Sequence, residues 1–506
     1  MAKYEKKLKK LKETMAEIID LGTAEAVLGW DAQTYMPKKG SLGRSEQFGT
    51  LTKIVHEKAT SKELAKLIDD LMPMAEKLGP DDDDAALVKL AYRKLEKNRK
   101  VPTEMAAEMA RTHSLAQDAW VEAKNKSDFS IFKPHLQKNI EFARKYSALF
   151  APFDHPYDPL LDDFEHGMKT VDVKAIFEPL RVDQVSLIKA IGKKKQVEHG
   201  FLDLKYEDKK QWDFGVDVIT RMGYDWDAGR QDRAEHPFTT SFNVHDVRIT
   251  THIHENMMSS GLFSTVHEAG HALYEQGIDP KYFRTILCDG VSSAVHESQS
   301  RLWENIVARS KEFWVFFYPT LQKTFKKQLG DVSMEAFHKA INMVEPSFIR
   351  TESDEATYNL HIMLRFELEL ALLEGKLEVD QLPEVWNAKM EEYLGVKPTS
   401  DKVGVLQDVH WSSGYFGYFP TYALGNLVSA MLWEKILVDI PDLHEQIAKG
   451  EFSALLAWLR KNIHQYGSKY EPQKLIEMAT GQKINAQPYL RYLKKKYSDI
   501  YGLKMK

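Results

Sequence analysis

The stretch Ser264–Thr265–Val266–His267–Glu268–Ala269–Gly270–His271–Ala272–Leu273, STVHEAGHAL, decides how the rest of the chain is read. On a helix, His267 and His271 stand i, i+4, about 6 Å apart along the axis, and two imidazoles at that spacing reach one ion. Glu268 is turned around the helix from them, placed to address a water and not to ligate the ion. This is the HExxH arrangement, in which zinc acidifies and orients a water and the glutamate takes its proton. With Leu262 as origin and 100° per residue, Leu262, Val266, Ala269 and Leu273 cluster within about 60°, while His267 and His271 fall near 140° and 180°. The histidines therefore face away from the apolar stripe. HExxH alone also arises by chance, so the motif needs a third ligand and a cleft.

Composition sets the surroundings. Hydrophobic residues are 43%, charged residues 28% and the formal net charge is -5, ordinary for a soluble globular protein. Neither a nucleic-acid nor a membrane partner is expected: nothing is strongly basic, and no apolar run reaches bilayer length. The single cysteine, Cys288, excludes an internal disulfide framework. The opening MAKYEKKLKKLKETMAEIID reads as a charged amphipathic helix without a signal-peptide core, so a reducing, cytoplasmic setting is expected. At 506 residues the chain exceeds the usual single-core size. Two lobes or one elongated helical body both fit.

Helical patterns dominate. Tyr4, Leu8, Leu11, Met15, Ile18 and Ile19 recur at helical spacing, and Pro80 followed by Asp81–Asp84 marks a helix start with carboxylates at the positive end of the dipole. Proline-poor spans over 180–236, 281–318 and 347–382 read the same way, so the fold class is mainly α. The exception is Thr239–Ile253, where Phe242 and Val244, then Val247 and Ile249, alternate with polar residues as a strand or hairpin does. A small sheet thus precedes the HExxH helix. The basic triplets Lys193–Lys195 and Lys494–Lys496 read as solvated helix ends. Downstream, GVSSAVHESQSRLWENIV reads as a helix with Val291, Val295, Leu302 and Ile306 on one side and Glu297 and Glu304 on the other. Periodicity does not choose between the two glutamates as a third ligand.

Seven motifs in order give a more specific signal. LGWDAQTYMP begins near residue 28, His236–Pro237–Phe238 and Asp246–Val247–Arg248–Ile249–Thr250 precede HEAGH at 267–271, and HESQSR at 296–301, IRTESDE at 349–355 and GVLQDVHW at 404–411 follow. The set resembles the M32 metallocarboxypeptidases, the carboxypeptidase Taq family, across nearly the whole chain. IRTESDE departs from the family's IRxxAD pattern only at Ser353, where alanine is usual. The resemblance implies zinc held by His267, His271 and Glu297, with cobalt able to replace it. It also implies a mainly helical, elongated body split by a deep groove with a small antiparallel sheet at its edge, and usually a homodimer. A single catalytic domain over 1–506 is expected, its first hundred residues forming part of the groove wall or cap.

The remaining motif residues then take chemical roles. A carboxypeptidase must hold the substrate's terminal carboxylate, which a guanidinium fork does with two parallel bonds. Arg350 is the first choice and Arg248 the second, the other reading of Arg248 being an Asp246–Arg248–Thr250 network that braces the site. Gln407 and Asp408 are expected at the substrate site too. The developing oxyanion needs a donor, for which His410 and Tyr422 lead and Tyr415 follows, at a spacing similar to that of the donors in related helical oligopeptidases. The expected function is release of single C-terminal residues from peptides with broad specificity, Glu268 acting as base. A helical metallo-endopeptidase for short peptides and a binding scaffold with a structural metal are the alternatives.

Overall fold

Apolar spacing at the start of the chain closes into a helix, Ala2–Thr34, whose buried face carries Leu8, Leu11 and Met15. It packs on a second helix, Lys62–Ala75, which contributes Leu64, Ile68 and Leu71. Each leucine fully removed from water stabilises this layer by about 1.5–3 kcal/mol before the entropic cost of ordering it. Pro80–Asp84 starts a helix as its composition predicts. Asp82 caps Asp83–Lys100, its carboxylate accepting from the Ala85 N–H at 2.8 Å, with Asp83 and Asp84 in the first turn and Lys97, Arg99 and Lys100 in the last. These elements belong to a computed structural model that describes residues 2–504.

Four helices of the body frame the motif residues. Met258–Glu275 holds HEAGH, and Ser293–Arg301 holds HESQSR and runs on into a π-helical turn, Leu302–Val307. Glu355–Leu373 is buried along nearly its whole length, and Pro420–Asp439 opens with proline at its first position. Two glycines let three of these helices approach closely. A Cβ on Gly270, inside HEAGH, would sit 2.7 Å from the Ser300 Cα and 2.9 Å from the Gln299 carbonyl oxygen. A Cβ on Gly425 would meet the Glu297 side chain at 2.8 Å. The fourth residue of HEAGH is thus small because the Glu297 helix lies directly against it.

The sheet has three strands, β1 Gly229–Arg233, β2 Thr239–Asn243 and β3 Asp246–Thr251, in the order β1-β3-β2. The hairpin expected over 239–253 is β2 and β3, paired antiparallel with Thr240 opposite Arg248. Val247 and Ile249 are fully buried and alternate as predicted. The sheet as a whole is mixed, however, because β1 runs parallel to β3. This corrects the antiparallel expectation. Strand β1 lies inside the 180–236 span read as helical, and its sequence GRQDR has no apolar alternation; ladder bonds to β3 hold it, which local pattern does not record.

Two smaller expectations separate. Lys193–Lys195 are exposed at the end of the helix Thr170–Gly192, as expected. Lys494–Lys496 instead sit within the last helix, Gln487–Tyr501, and Lys496 is buried with its Nζ 2.6 Å from Glu355 Oε2. Among the described residues no helix is long and apolar enough to cross a membrane.

Candidate metal centre and peptide groove

Nearly every residue of the HEAGH helix from Leu262 to Glu275 is buried, and His267 and His271 are among the few that are only half-buried. Their Nε2 atoms converge on Glu297, lying 3.7 and 3.5 Å from its Oε2. The candidate ligand atoms of His267, His271 and Glu297 all lie within 4.8 Å of one another, a spacing that one ion can bridge. The far side of each group is already engaged. His267 Nδ1 lies 2.8 Å from Glu304 Oε2, and His271 Nδ1 lies 2.6 Å from His296 Nδ1, whose Nε2 is 2.7 Å from Glu275 Oε1. Arg301 Nε donates to Glu297 Oε1 at 2.7 Å. With both histidines donating from Nδ1, each Nε2 keeps its lone pair toward the cluster, the arrangement metal-binding imidazoles use. Burial pushes the His271 pKa down to about 3, keeping that ring neutral. The two glutamates that periodicity left equivalent therefore differ in position. Glu297 faces the Nε2 atoms and Glu304 backs His267.

Glu268 points toward β2, where Thr239 Oγ1 donates to its Oε2 at 2.6 Å. Two cavities meet beside the cluster. One of about 440 Å³ is lined by His271, Glu297, Tyr418 and Tyr422. The other, of about 620 Å³, runs along β2 from Thr239 to Asn243. Both are lined by Lys94, Asp289 and His296, so they adjoin, and Leu90, Arg93 and Lys94 of the helix Asp83–Lys100 line the first. The N-terminal layer is also pinned to the body by Tyr282, whose hydroxyl donates to Asp83 at 2.9 Å.

Arg350 is only 5% exposed and its fork is partly engaged. Nε and Nη2 donate to Asp408 Oδ1 at 3.0 and 2.9 Å and Nη1 to the Tyr358 hydroxyl at 2.8 Å. Of the five N–H groups of a guanidinium, one on each Nη remains. Gln407 accepts from the Arg350 backbone N–H at 2.9 Å and donates to the Phe348 carbonyl at 2.9 Å. Gln407 and Asp408 thus hold Arg350. Arg248 pairs bidentately with Asp246 at 2.8 and 2.9 Å and stacks 4.4 Å from the Trp30 ring centroid. Thr250 takes no part in that pair, since its hydroxyl accepts from the Phe238 N–H at 2.9 Å.

His410 Nε2 stands 3.3 Å from the Tyr422 hydroxyl. Burial pushes His410 down to about 4 and raises the Tyr422 phenol, so both are neutral at pH 7. Tyr415 is 51% exposed and lines a different cavity, with Phe164 and His113, while Tyr418 takes the place beside Tyr422.

Comparison with known proteins agrees with this geometry. Residues 10–497 match the carboxypeptidase Taq (M32) metallopeptidase family. The chain belongs to that family. It is 40% identical over 502 residues to thermostable carboxypeptidase 1 of Thermus thermophilus, covering 97% of this chain and 98% of that protein. It is 39% identical over 492 residues to carboxypeptidase 1 of Bacillus subtilis, with 97% and 98% covered. The crystal structure of the M32 carboxypeptidase from Deinococcus radiodurans superposes with a TM-score of 0.96 at 40% identity, over 98% of this chain and 100% of that one. The M32 chain is accordingly a metallocarboxypeptidase, an enzyme acting on peptides and built to hold a metal ion.

Several residues around the M32 site escaped the sequence reading. Thr239, His296, Arg301, Tyr358, Arg365 and Tyr418 all touch a site residue, and apart from the pairs Arg301–Glu297 and Tyr418–Tyr422, four residues apart, each contact depends on which element lies alongside. His296 and Arg301 stood in plain view within HESQSR. Their partners lie on the neighbouring helix or one turn away, and spacing alone pointed to neither role.

Proposed function

We propose that this metallocarboxypeptidase is a zinc enzyme that releases single residues of broad type from peptide C-termini, with cobalt able to replace zinc. The observation that carries the metal assignment is the convergence of two Nε2 atoms on Glu297 Oε2, each ring fixed from behind by its own partner. A divalent metal held there by His267, His271 and Glu297 supplies a Lewis acid and acidifies a water. Glu268, steadied by Thr239, takes that water's proton and returns it to the leaving amine. Tyr422, with His410 at its hydroxyl, donates to the developing oxyanion. Arg350 offers its two remaining N–H groups to the substrate's terminal carboxylate, a role for which Arg248, already paired with Asp246, is less free.

The chain works as one catalytic domain whose N-terminal helices wall the groove, a reading supported by Lys94 lining both cavities. On the family resemblance the enzyme is a homodimer, which light scattering of the purified protein tests, and its single cysteine fits a reducing, cytoplasmic setting. Function is tested by following a defined peptide and its C-terminal amide by mass over time. Stepwise loss from the free-acid peptide and near-complete protection of the amide are expected. Internal fragments, or equal cleavage of both peptides, would refute the C-terminal reading. Cleavage that does not depend on metal would refute the zinc assignment.

A further inference from the structure

Asp408 serves two guanidinia. Arg350 takes Oδ1, and Arg365, from the helix Glu355–Leu373, takes Oδ2 through Nε at 2.7 Å and Nη2 at 2.5 Å. Arg365 is 0% exposed, its Nη1 donates to the His361 carbonyl at 2.7 Å, and its guanidinium lies 4.6 Å from the Trp386 ring. It cannot reach the groove.

The charges nearby do not balance this cluster from other directions. Burial holds His410 neutral, down to about 4, and keeps His361 well below the ordinary histidine range. Glu369, one turn along the helix from Arg365, accepts from the Tyr157 hydroxyl, the Trp411 indole and the Gly417 N–H, and burial raises its pKa to about 7, so at neutral pH it offsets Arg365 by only part of a charge. Lys124, a further cation near Asp408, donates to the Gln407 carbonyl at 3.0 Å. Two buried guanidinia therefore share one carboxylate at hydrogen-bond range, and these three groups together carry a net positive charge.

We propose that Arg365 is a positioning and specificity residue: by occupying one oxygen of Asp408 it leaves the charge of Arg350 partly uncompensated, and this excess draws the substrate's terminal carboxylate. The inference rests on the reading of Arg350 as the group that meets that carboxylate. A one-to-one Arg350–Asp408 pair would be neutral as a unit and would attract a third ion only weakly, whereas the two-to-one cluster gains a counterion when substrate binds. Arg365 itself never touches the peptide.

The test compares Arg365→Met, Arg365→Gln and Arg365→Lys in the metal-loaded enzyme, measuring kcat and KM for a blocked dipeptide and its C-terminal amide. Arg365→Met should raise KM for the free acid about tenfold with kcat nearly unchanged, and shrink the preference for acid over amide by the same factor. Arg365→Gln, which can still donate to Asp408 but has no charge, should behave like Met. Arg365→Lys should recover most of the preference. Recovery by Gln as complete as by Lys would show a hydrogen-bonding role and overturn the inference, as would full preference in the Met or Gln variant. The reading of Arg350 is tested separately by Arg350→Ala. Preference lost there but intact in the Arg365 variants sinks this inference alone, and preference retained in Arg350→Ala removes the reading beneath it.

Discussion

The two ends of the motif set use ionisable side chains to solve opposite problems. Around His267, His271 and Glu297, each polar group has one partner behind it and one atom left facing the cluster, so charge is divided cleanly between holding and binding. Around Arg350, Asp408 and Arg365 the charged groups are mostly spent on one another, and what remains for a ligand is a surplus. The difference teaches that a ligand cluster on helices can be read one residue at a time. A shared ion network cannot, because removing any member changes the charge of all.

The sharpest way to break the comparison is to remove a single group at the metal end. His267→Ala should lose tight metal binding, because two remaining ligands make a poor site, and metal content after dialysis checks it. Glu268→Gln should retain metal and melting temperature while losing about 10²–10⁴-fold in kcat. Near-normal turnover in that variant would free Glu268 from the role of base. At the other end, Arg350→Ala should cost free-acid peptides about 2–4 kcal/mol in kcat/KM and should not add to the loss caused by amidation. If the free-acid preference collapses in Arg248→Ala and survives in Arg350→Ala, the two arginines exchange roles.

Smaller effects sharpen the contrast. Glu304→Gln leaves all three proposed ligands in place and changes the support behind His267 together with the charge facing Arg301 and Arg309, so metal affinity should fall about 10–100-fold with little change in fold. An unchanged metal dissociation constant would make Glu304 incidental. Gly270→Ala forces its new methyl against the backbone of the Glu297 helix, with no flexible side-chain end to give way. Destabilisation of about 1–3 kcal/mol, accompanied by weaker metal binding, is expected from denaturant melts and metal titration.

A pH-dependent prediction concerns the start of the Glu297 helix, where the buried Glu165 accepts the Ala294 N–H at 2.5 Å. Burial raises its pKa to about 8 from an ordinary 4.5. Between these values the folded chain holds a proton that the unfolded chain releases, so this group makes stability fall as pH rises from about 4.5 to 8, after which its effect levels off. Glu165→Gln keeps an acceptor and removes the titration. Its melting temperature should match wild type near pH 5 and exceed it at pH 9. Parallel pH profiles for the two proteins would dismiss Glu165 as the cause.

The sequence by itself determined the helical class, the hairpin at 239–253, the cap at Asp82 and the i, i+4 histidine pair, because periodicity records which face of a local backbone meets water. Motif order also carried the family and, through it, the choice of Glu297. Only the tertiary structure separated Glu297 from Glu304 by position, placed polar β1 beside β3, buried Lys496 against Glu355, turned Tyr415 outward and set Arg365 behind Asp408. Each of these depends on a partner distant in sequence, on another element or at the far end of its own, and a pattern confined to one element carries no information about what lies against it.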